Sequence, residues 1–209
     1  NGTWRKFARY QHQNIPLPFK FELSQPIFPS NLFENKIHNL KIAGKRISRY
    51  VIQPGQIFSF WNIVGKPTSG KGYKKGRNLV NGKLSNEEGG GLCQLSGIIY
   101  HTALINGLEI IERHAHSLDI YTEENRFTPL GADATIVYGY KDLRIRNNTH
   151  SLLQFDFIVE QNKLSCSLHS IKKIKSKEII FERINDRLVI TKSIENGKHF
   201  ELGRSIYQK

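Results

Sequence analysis

Glu87-Glu88-Gly89-Gly90-Gly91-Leu92-Cys93-Gln94-Leu95-Ser96-Gly97-Ile98-Ile99-Tyr100-His101-Thr102-Ala103-Leu104-Ile105-Asn106-Gly107 is the stretch from which the rest of the chain is read. Leu92, Leu95, Ile98, Ile99, Thr102, Ala103 and Ile105 recur at helical spacing, which predicts a helix over 92–106. Gly107 ends it as a C-terminal cap. At the other end, three consecutive glycines permit backbone angles that other residues avoid and let a ligand approach the main chain closely. A helix that starts there aims unsatisfied N–H groups and the positive end of its dipole at whatever lies above the turn. Cys93 sits at that spot. A thiolate is favoured there, and the same amides suit the oxyanion formed when sulfur attacks a carbonyl. The competing reading is a small buried cysteine at a tight strand-to-helix junction.

Downstream, Leu108 to His116 is expected to leave the helix as a strand. Glu112-Arg113-His114-Ala115-His116-Ser117 then places two histidines at i and i+2, on one face of such a strand. Either could accept the thiol proton and return it to a leaving amine. The ring needs an orienting acceptor on its other nitrogen, and Asp133 in Gly131-Ala132-Asp133-Ala134-Thr135 is the best candidate. The alternative chemistry is a zinc site made of Cys93, His114 and His116. No Cys-x-x-Cys or His-Glu-x-x-His supports it, so neither a metal nor another cofactor is expected. Asp133 to Tyr140, β-branched and aromatic, reads as a further strand. From Leu143 onward strands alternate with turns at Asn147-Asn148, Gln161-Asn162, Asn185-Asp186 and Asn196-Gly197. Cys166 lies in the alternating Lys163-Leu164-Ser165-Cys166-Ser167-Leu168-His169 and reads as a structural strand residue, not as half of a disulfide framework.

Upstream, Ile57-Phe58-Ser59-Phe60-Trp61 reads as a short buried strand, and Lys66 to Lys83 as a Gly- and Lys-rich loop with a hairpin turn at Asn81-Gly82. Leu32, Phe33, Ile37, Leu40, Ile42 and Ala43 approximate helical spacing between Asn31 and Tyr50. Four of the seven prolines, at 16, 18, 26 and 29, fall in residues 1–30. That predicts an extended arm anchored by Phe19, Phe21, Leu23 and Phe28. The expected class is therefore α+β: one central helix carrying the Gly-Gly-Gly-Leu-Cys motif, packed on a mostly antiparallel sheet, with a β-rich C-terminal part. The expected division is an arm over 1–30, a central domain over 31–170 and a β-hairpin extension over 171–209, set off by the basic link 171–177.

The chain carries 31 Lys and Arg against 18 Asp and Glu, a net charge of +13. The excess is uneven, with nine basic and two acidic residues over 1–50 but six and nine over 101–170. Such a field draws an anionic wall polymer or membrane surface through the basic faces. Nucleic acid is disfavoured, since no zinc-finger spacing, RNA-binding aromatic signature or basic heptad helix is present. No apolar run reaches membrane-spanning length. Residues 1–10 lack the apolar core of a signal peptide. The sequence as it stands reads as cytoplasmic; with no methionine present, a start further upstream would make it cell-envelope associated.

Several motifs in one order carry a resemblance. They are Gln53-Pro54-Gly55-Gln56-Ile57-Phe58-Ser59-Phe60, Gly72-Tyr73, Asn81-Gly82-Lys83-Leu84, Gly89-Gly90-Gly91-Leu92-Cys93-Gln94, Glu112-Arg113-His114-Ala115-His116-Ser117 and Asp133-Ala134-Thr135. With a helix at 36–48, they make residues 35–160 resemble the VanW family, associated with glycopeptide resistance. The resemblance implies cysteine-dependent acyl transfer on peptidoglycan stem peptides or precursors, in the manner of L,D-transpeptidases. Cys93 would be the nucleophile, His116 or His114 the base and Asp133 its orienter. Gly89, Gly90, Gly91, Gln94, Ser96, Arg113, Ser117 and Tyr73 would line the substrate site. Gly97 departs from the Thr or Ser of many relatives. A non-catalytic module that binds peptidoglycan or a glycopeptide through the same cleft is the second expectation, with the glycine turn holding a carboxylate and Lys74, Lys75 and Arg77 steering an anionic polymer.

Overall fold

The computed structural model describes residues 6–11, 15–80, 83–119 and 126–208. Its centre is helix α3 (Leu92–Ile105), which is covered nearly all round: Leu95, Ile98, Ile99 and Ala103 are fully buried, and so are Ser96, Gly97 and Thr102. A helix with so little wet face must lie inside the molecule. Its end is built as expected. Gly107, at φ 65°, donates its N–H to the Leu104 carbonyl at 3.0 Å, and Leu108 donates to Ala103 at 2.9 Å. This is the two-bond closure that favours glycine.

Helix α3 packs on an antiparallel sheet of Phe19–Pro26, Lys163–Ser170 and Leu153–Val159, with Lys163–Ser170 in the middle. Cys166 stands between Leu23 and Phe157 on the neighbouring strands and is fully buried. Helix α1 (Phe33–Ile47) turns Ile37, Leu40, Ala43 and Ile47 inward and packs on α3 and on Leu153–Val159. Gly44 permits this approach, because a Cβ there would already stand 3.2 Å from Phe157. A second antiparallel sheet joins Ile57–Ser59, Arg144–Arg146 and Glu109–Glu112. A third joins Glu178–Arg183, Leu188–Glu195 and Lys198–Ile206. The chain is α+β with a β-rich C-terminal part. No helix among the described residues is long and apolar enough to cross a membrane.

Several local expectations differ from the structure, each for a physical reason. The arm is not merely extended. Its residues Phe19–Pro26 form the edge strand just described, and the anchors also differ: Phe19 and Phe28 are exposed, whereas Ile27 is buried. The strand at Ile57 stops at Ser59, whose hydroxyl accepts the Asn62 N–H and caps helix α2 (Phe60–Val64). Serine favours that cap because its oxygen satisfies an orphan amide. The segment 66–83 is not all loop: Lys75–Val80 pairs antiparallel with Lys83–Glu88. The turn expected at Asn81-Gly82 lies outside the described residues. The strand that leaves α3 ends at Glu112, short of His114 and His116. Asp133 to Tyr140 forms no ladder, only an isolated bridge between Val137 and Lys141. Their backbone groups are used elsewhere, since the Asp133 carbonyl is taken by Arg113, that of Ala134 by Ser96, and the Thr135 N–H by His114. Beyond the basic link, where a hairpin was expected, the chain makes three strands.

Candidate active site

Cys93 lies in the first turn of α3, half-buried, on the wall of a cleft of about 300 Å³. Its sulfur is 3.8 Å from the Thr135 hydroxyl and 4.0 Å from the Ile136 carbonyl. The group that sets its chemistry is His116. Burial alone would raise the thiol pKa, but hydrogen bonding and charge from His116, helped by Ile136 and Thr135, bring it below its ordinary 9.0. His116 is held from behind. Its Nδ1 is 2.8 Å from Asp133 Oδ2, and its own backbone N–H donates to the same oxygen at 2.7 Å. With Nδ1 fixed on the carboxylate, Nε2 is the ring nitrogen left for the sulfur. Burial pulls the imidazole pKa down, yet Asp133 and Cys93 outweigh it and push it up to about 10.

Asp133 is itself firmly held. Besides the two contacts from His116, its Oδ1 accepts Arg113 Nη2 at 3.1 Å and the Tyr207 hydroxyl at 2.5 Å. Burial would favour the acid, but His116 and Arg113 hold the carboxyl well below the usual carboxylate range. Tyr207 is itself fixed, because its oxygen accepts the Gly131 N–H at 2.9 Å. Burial and the Asp133 charge keep it protonated, so it can only donate to Asp133. Arg113 also donates to the Gly131 and Asp133 carbonyls and to Ser205, and its guanidinium stacks 4.8 Å above the Tyr100 ring.

The structure thus brings Cys93, His116 and Asp133 together and places His114 apart. His114 Nε2 is 3.0 Å from Glu112 Oε1, whose carboxylate also accepts the Asp142 N–H. The strand needed to put both histidines on one face ends before them, so each ring follows its own carboxylate. The same divergence leaves the zinc alternative without its three ligands in one place, and no metal-binding cluster occurs among the described residues.

The glycine turn works differently from the expectation that it leaves room for a ligand. A Cβ on Gly90 would stand 2.1 Å from the Gly76 carbonyl, and one on Gly89 2.6 Å from Pro67. The space above these two is filled by the chain itself, and the Gly90 carbonyl accepts Asn39 at 3.0 Å. Gly91, at φ 94°, faces the cleft with the Lys36 stem against it. Two amides of the turn are also in use, since Leu92 donates to Gly89 and Gln94 to Gly91. The Cys93 amide has no acceptor among the described residues.

Of the other residues assigned to substrate, Gln94 lines the cleft while its amide nitrogen donates to the Pro26 carbonyl at 2.9 Å. Ser96 is buried and ties α3 to the Ala134 carbonyl at 2.5 Å. Arg113 points at Asp133, and the Ser117 carbonyl accepts the Gln208 N–H. Tyr73 is buried away from the cleft wall. Gly97 packs on the Ala132–Ala134 backbone, 3.7 Å from the Ala134 nitrogen when a Cβ is added. Sequence reasoning missed Tyr207, Lys36, Arg77, Asp119 and Arg126, all on the cleft wall. Apart from Arg77, which was read only as part of a basic loop, no local signal marks them, because tertiary pairing alone brings them there.

The family model described as "VanW like protein" matches residues 35–169. The vancomycin B-type resistance protein VanW of Enterococcus faecalis is 38% identical over 131 residues, covering 63% of this chain and 48% of that protein. The uncharacterized protein YoaR of Bacillus subtilis is 35% identical over 114 residues, covering 54% of this chain and 36% of that one. The match therefore spans less than half the length of either relative. No solved structure matches the chain. Cys93, His116 and Asp133 fall inside the matched residues, whereas Ser205 and Tyr207 fall outside them.

Proposed function

The chain belongs to the VanW-like protein family, and from that premise we propose that it transfers acyl groups through Cys93, acting on peptidoglycan stem peptides or their precursors. The observation that carries this reading is His116, placed between the sulfur of Cys93 and the carboxylate of Asp133. The thiolate adds to a peptide carbonyl, and the Cys93 amide, which has no acceptor among the described residues, is the donor available to the oxyanion. Collapse breaks the C–N bond, His116 gives its proton to the departing amine, and a thioester remains. A second amine then attacks the thioester, passes its proton to His116 and leaves with the acyl group, expelling the sulfur as thiolate and restoring the thiolate–imidazolium pair. A link to glycopeptide resistance is supported by the name of the enterococcal relative.

The test is an acyl adduct. Incubation with a stem tetrapeptide or a carbapenem is expected to add the mass of the acyl group to the intact protein, and Cys93→Ala is expected to remove that adduct. An adduct that survives the substitution sinks the reading. A cleft that binds the tetrapeptide equally well with or without the thiol, and never acquires mass, is a binding module instead.

A further inference from the structure

Among the described residues, the charges on the cleft wall do not balance. Two acids face it, and both are occupied: Asp133 by His116, Arg113 and Tyr207, and Asp119 by Arg126, which approaches at 2.7 and 3.0 Å. Three basic side chains line it as well: Arg126, which is taken up by Asp119, and then Lys36 from α1 and Arg77 from the strand Lys75–Val80. Neither Lys36 nor Arg77 has a carboxylate partner among the described residues. The Lys36 ammonium lies 5.8 Å from the Phe127 ring centroid, and its stem rests on Gly91, two residues before the nucleophile. Phe28, Leu32 and Phe127 supply apolar walls beside the charges.

Holding the half-buried Lys36 ammonium near the charge of the exposed Arg77 costs free energy while the cleft is empty. Burial and the nearby Arg77 bring the Lys36 pKa down to about 8, a sign of that cost. Lys36 is half-buried and Arg77 is exposed, yet both line the cleft that holds Cys93. An anion entering the cleft removes the repulsion and gains charge-assisted hydrogen bonds from both groups. A cavity of about 300 Å³ admits one or two residues of a peptide and suits a compact, singly charged oxyanion.

We propose that Lys36 and Arg77 form a carboxylate subsite, selecting acyl donors that carry a free carboxylate within about a residue of the attacked carbonyl. The subsite rests on the acyl-transfer reading for its purpose but not for its test. The test uses the full chain carrying Cys93→Ala, so that binding is measured without turnover. The probe is a fluorescein-labelled stem tetrapeptide with its carboxyls free, compared with the same peptide with its carboxyls amidated, by anisotropy at low salt. The free acid is expected to bind about tenfold tighter, the equivalent of one charge-assisted hydrogen bond. Adding Lys36→Gln and Arg77→Gln should bring the two affinities within about twofold by abolishing that term, with amide binding unchanged. Lys36→Arg, which keeps the charge, should retain the preference. Equal affinities in the parent, a preference that survives the double substitution, or no binding of either peptide overturns the subsite. The two ideas fail separately. Adducts on the wild-type cysteine with no acid preference leave acyl transfer standing alone, whereas an acid preference with no adduct leaves only a carboxylate-binding cleft.

Discussion

Replacing His116 with Gln isolates the electrostatic work done on Cys93. Two opposing influences act on that sulfur: burial, which raises its pKa, and His116, whose hydrogen bond and charge lower it. Glutamine is neutral, so burial is left against only the weak contacts of Ile136 and Thr135, and the thiol moves to its ordinary 9.0 or above. At pH 7 that leaves about 1% thiolate or less, two pH units below the midpoint. The pair titrates as a unit. In the native protein His116, pushed up to about 10, stays cationic at pH 7 and sustains the thiolate. Alkylation by iodoacetamide follows the thiolate fraction, softened by the lower nucleophilicity of a more acidic thiol. The rate at pH 7 should therefore fall by about tenfold or more, and the variant should show a single rise in rate at or above about pH 9. Intact mass spectrometry from pH 5 to 10 reads this directly. Cys166 does not interfere, being fully buried with its pKa pushed up to about 12. Asp133 keeps Arg113, Tyr207 and the residue-116 amide, so the fold should persist. A variant that alkylates at pH 7 within about twofold of the native rate would refute the assigned role of the imidazole.

Asp133→Asn removes the charge opposite Arg113, whose side chain is only 8% exposed, and is expected to cost about 3 kcal/mol, or about 6–12 °C in Tm by calorimetry. Because the folded Asp133 pKa is depressed from 3.8, its stabilisation is present above that pH and is lost as the pH falls below it; Tm of the native protein should drop in that range more steeply than Tm of the variant. Gly90→Ala sets a methyl 2.1 Å from the Gly76 carbonyl, a backbone neighbour, and should lower stability by about 2 kcal/mol or more in a urea titration. Cys166→Ala trims a fully buried strand residue, costing about 1 kcal/mol by the same titration, and should leave the alkylation profile of Cys93 unchanged.

The elements legible in the sequence were those set by local rules. Helix α3 follows from its apolar spacing, its stop from Gly107, and the burial of Cys166 from strict alternation in 163–169. What stayed hidden came from competition between side chains and main chain. Asp133 to Tyr140 has strand composition, but Ser96, Arg113 and His114 take its backbone groups, so no ladder forms. The same competition separates His114 from His116, which spacing alone puts on one face. Glycine at 89–91 marks a tight place correctly, yet only packing reveals that Gly76 and Pro67, not a ligand, fill most of it. Tyr207 and Lys36 could not be found from sequence, since their neighbours in space lie on distant segments.

The hydroxyl of Tyr207 reaches Asp133 across 74 positions of chain. During synthesis, nucleophile, base and carboxylate all leave the ribosome well before that tyrosine does. Until residue 207 emerges, the carboxylate behind the imidazole lacks one of its four donors, and Arg113 lacks its bond to Ser205. Assembly of the reactive pair thereby waits on a segment made well after its own three residues. Nascent or prematurely terminated chains would carry a sulfur whose support is incomplete.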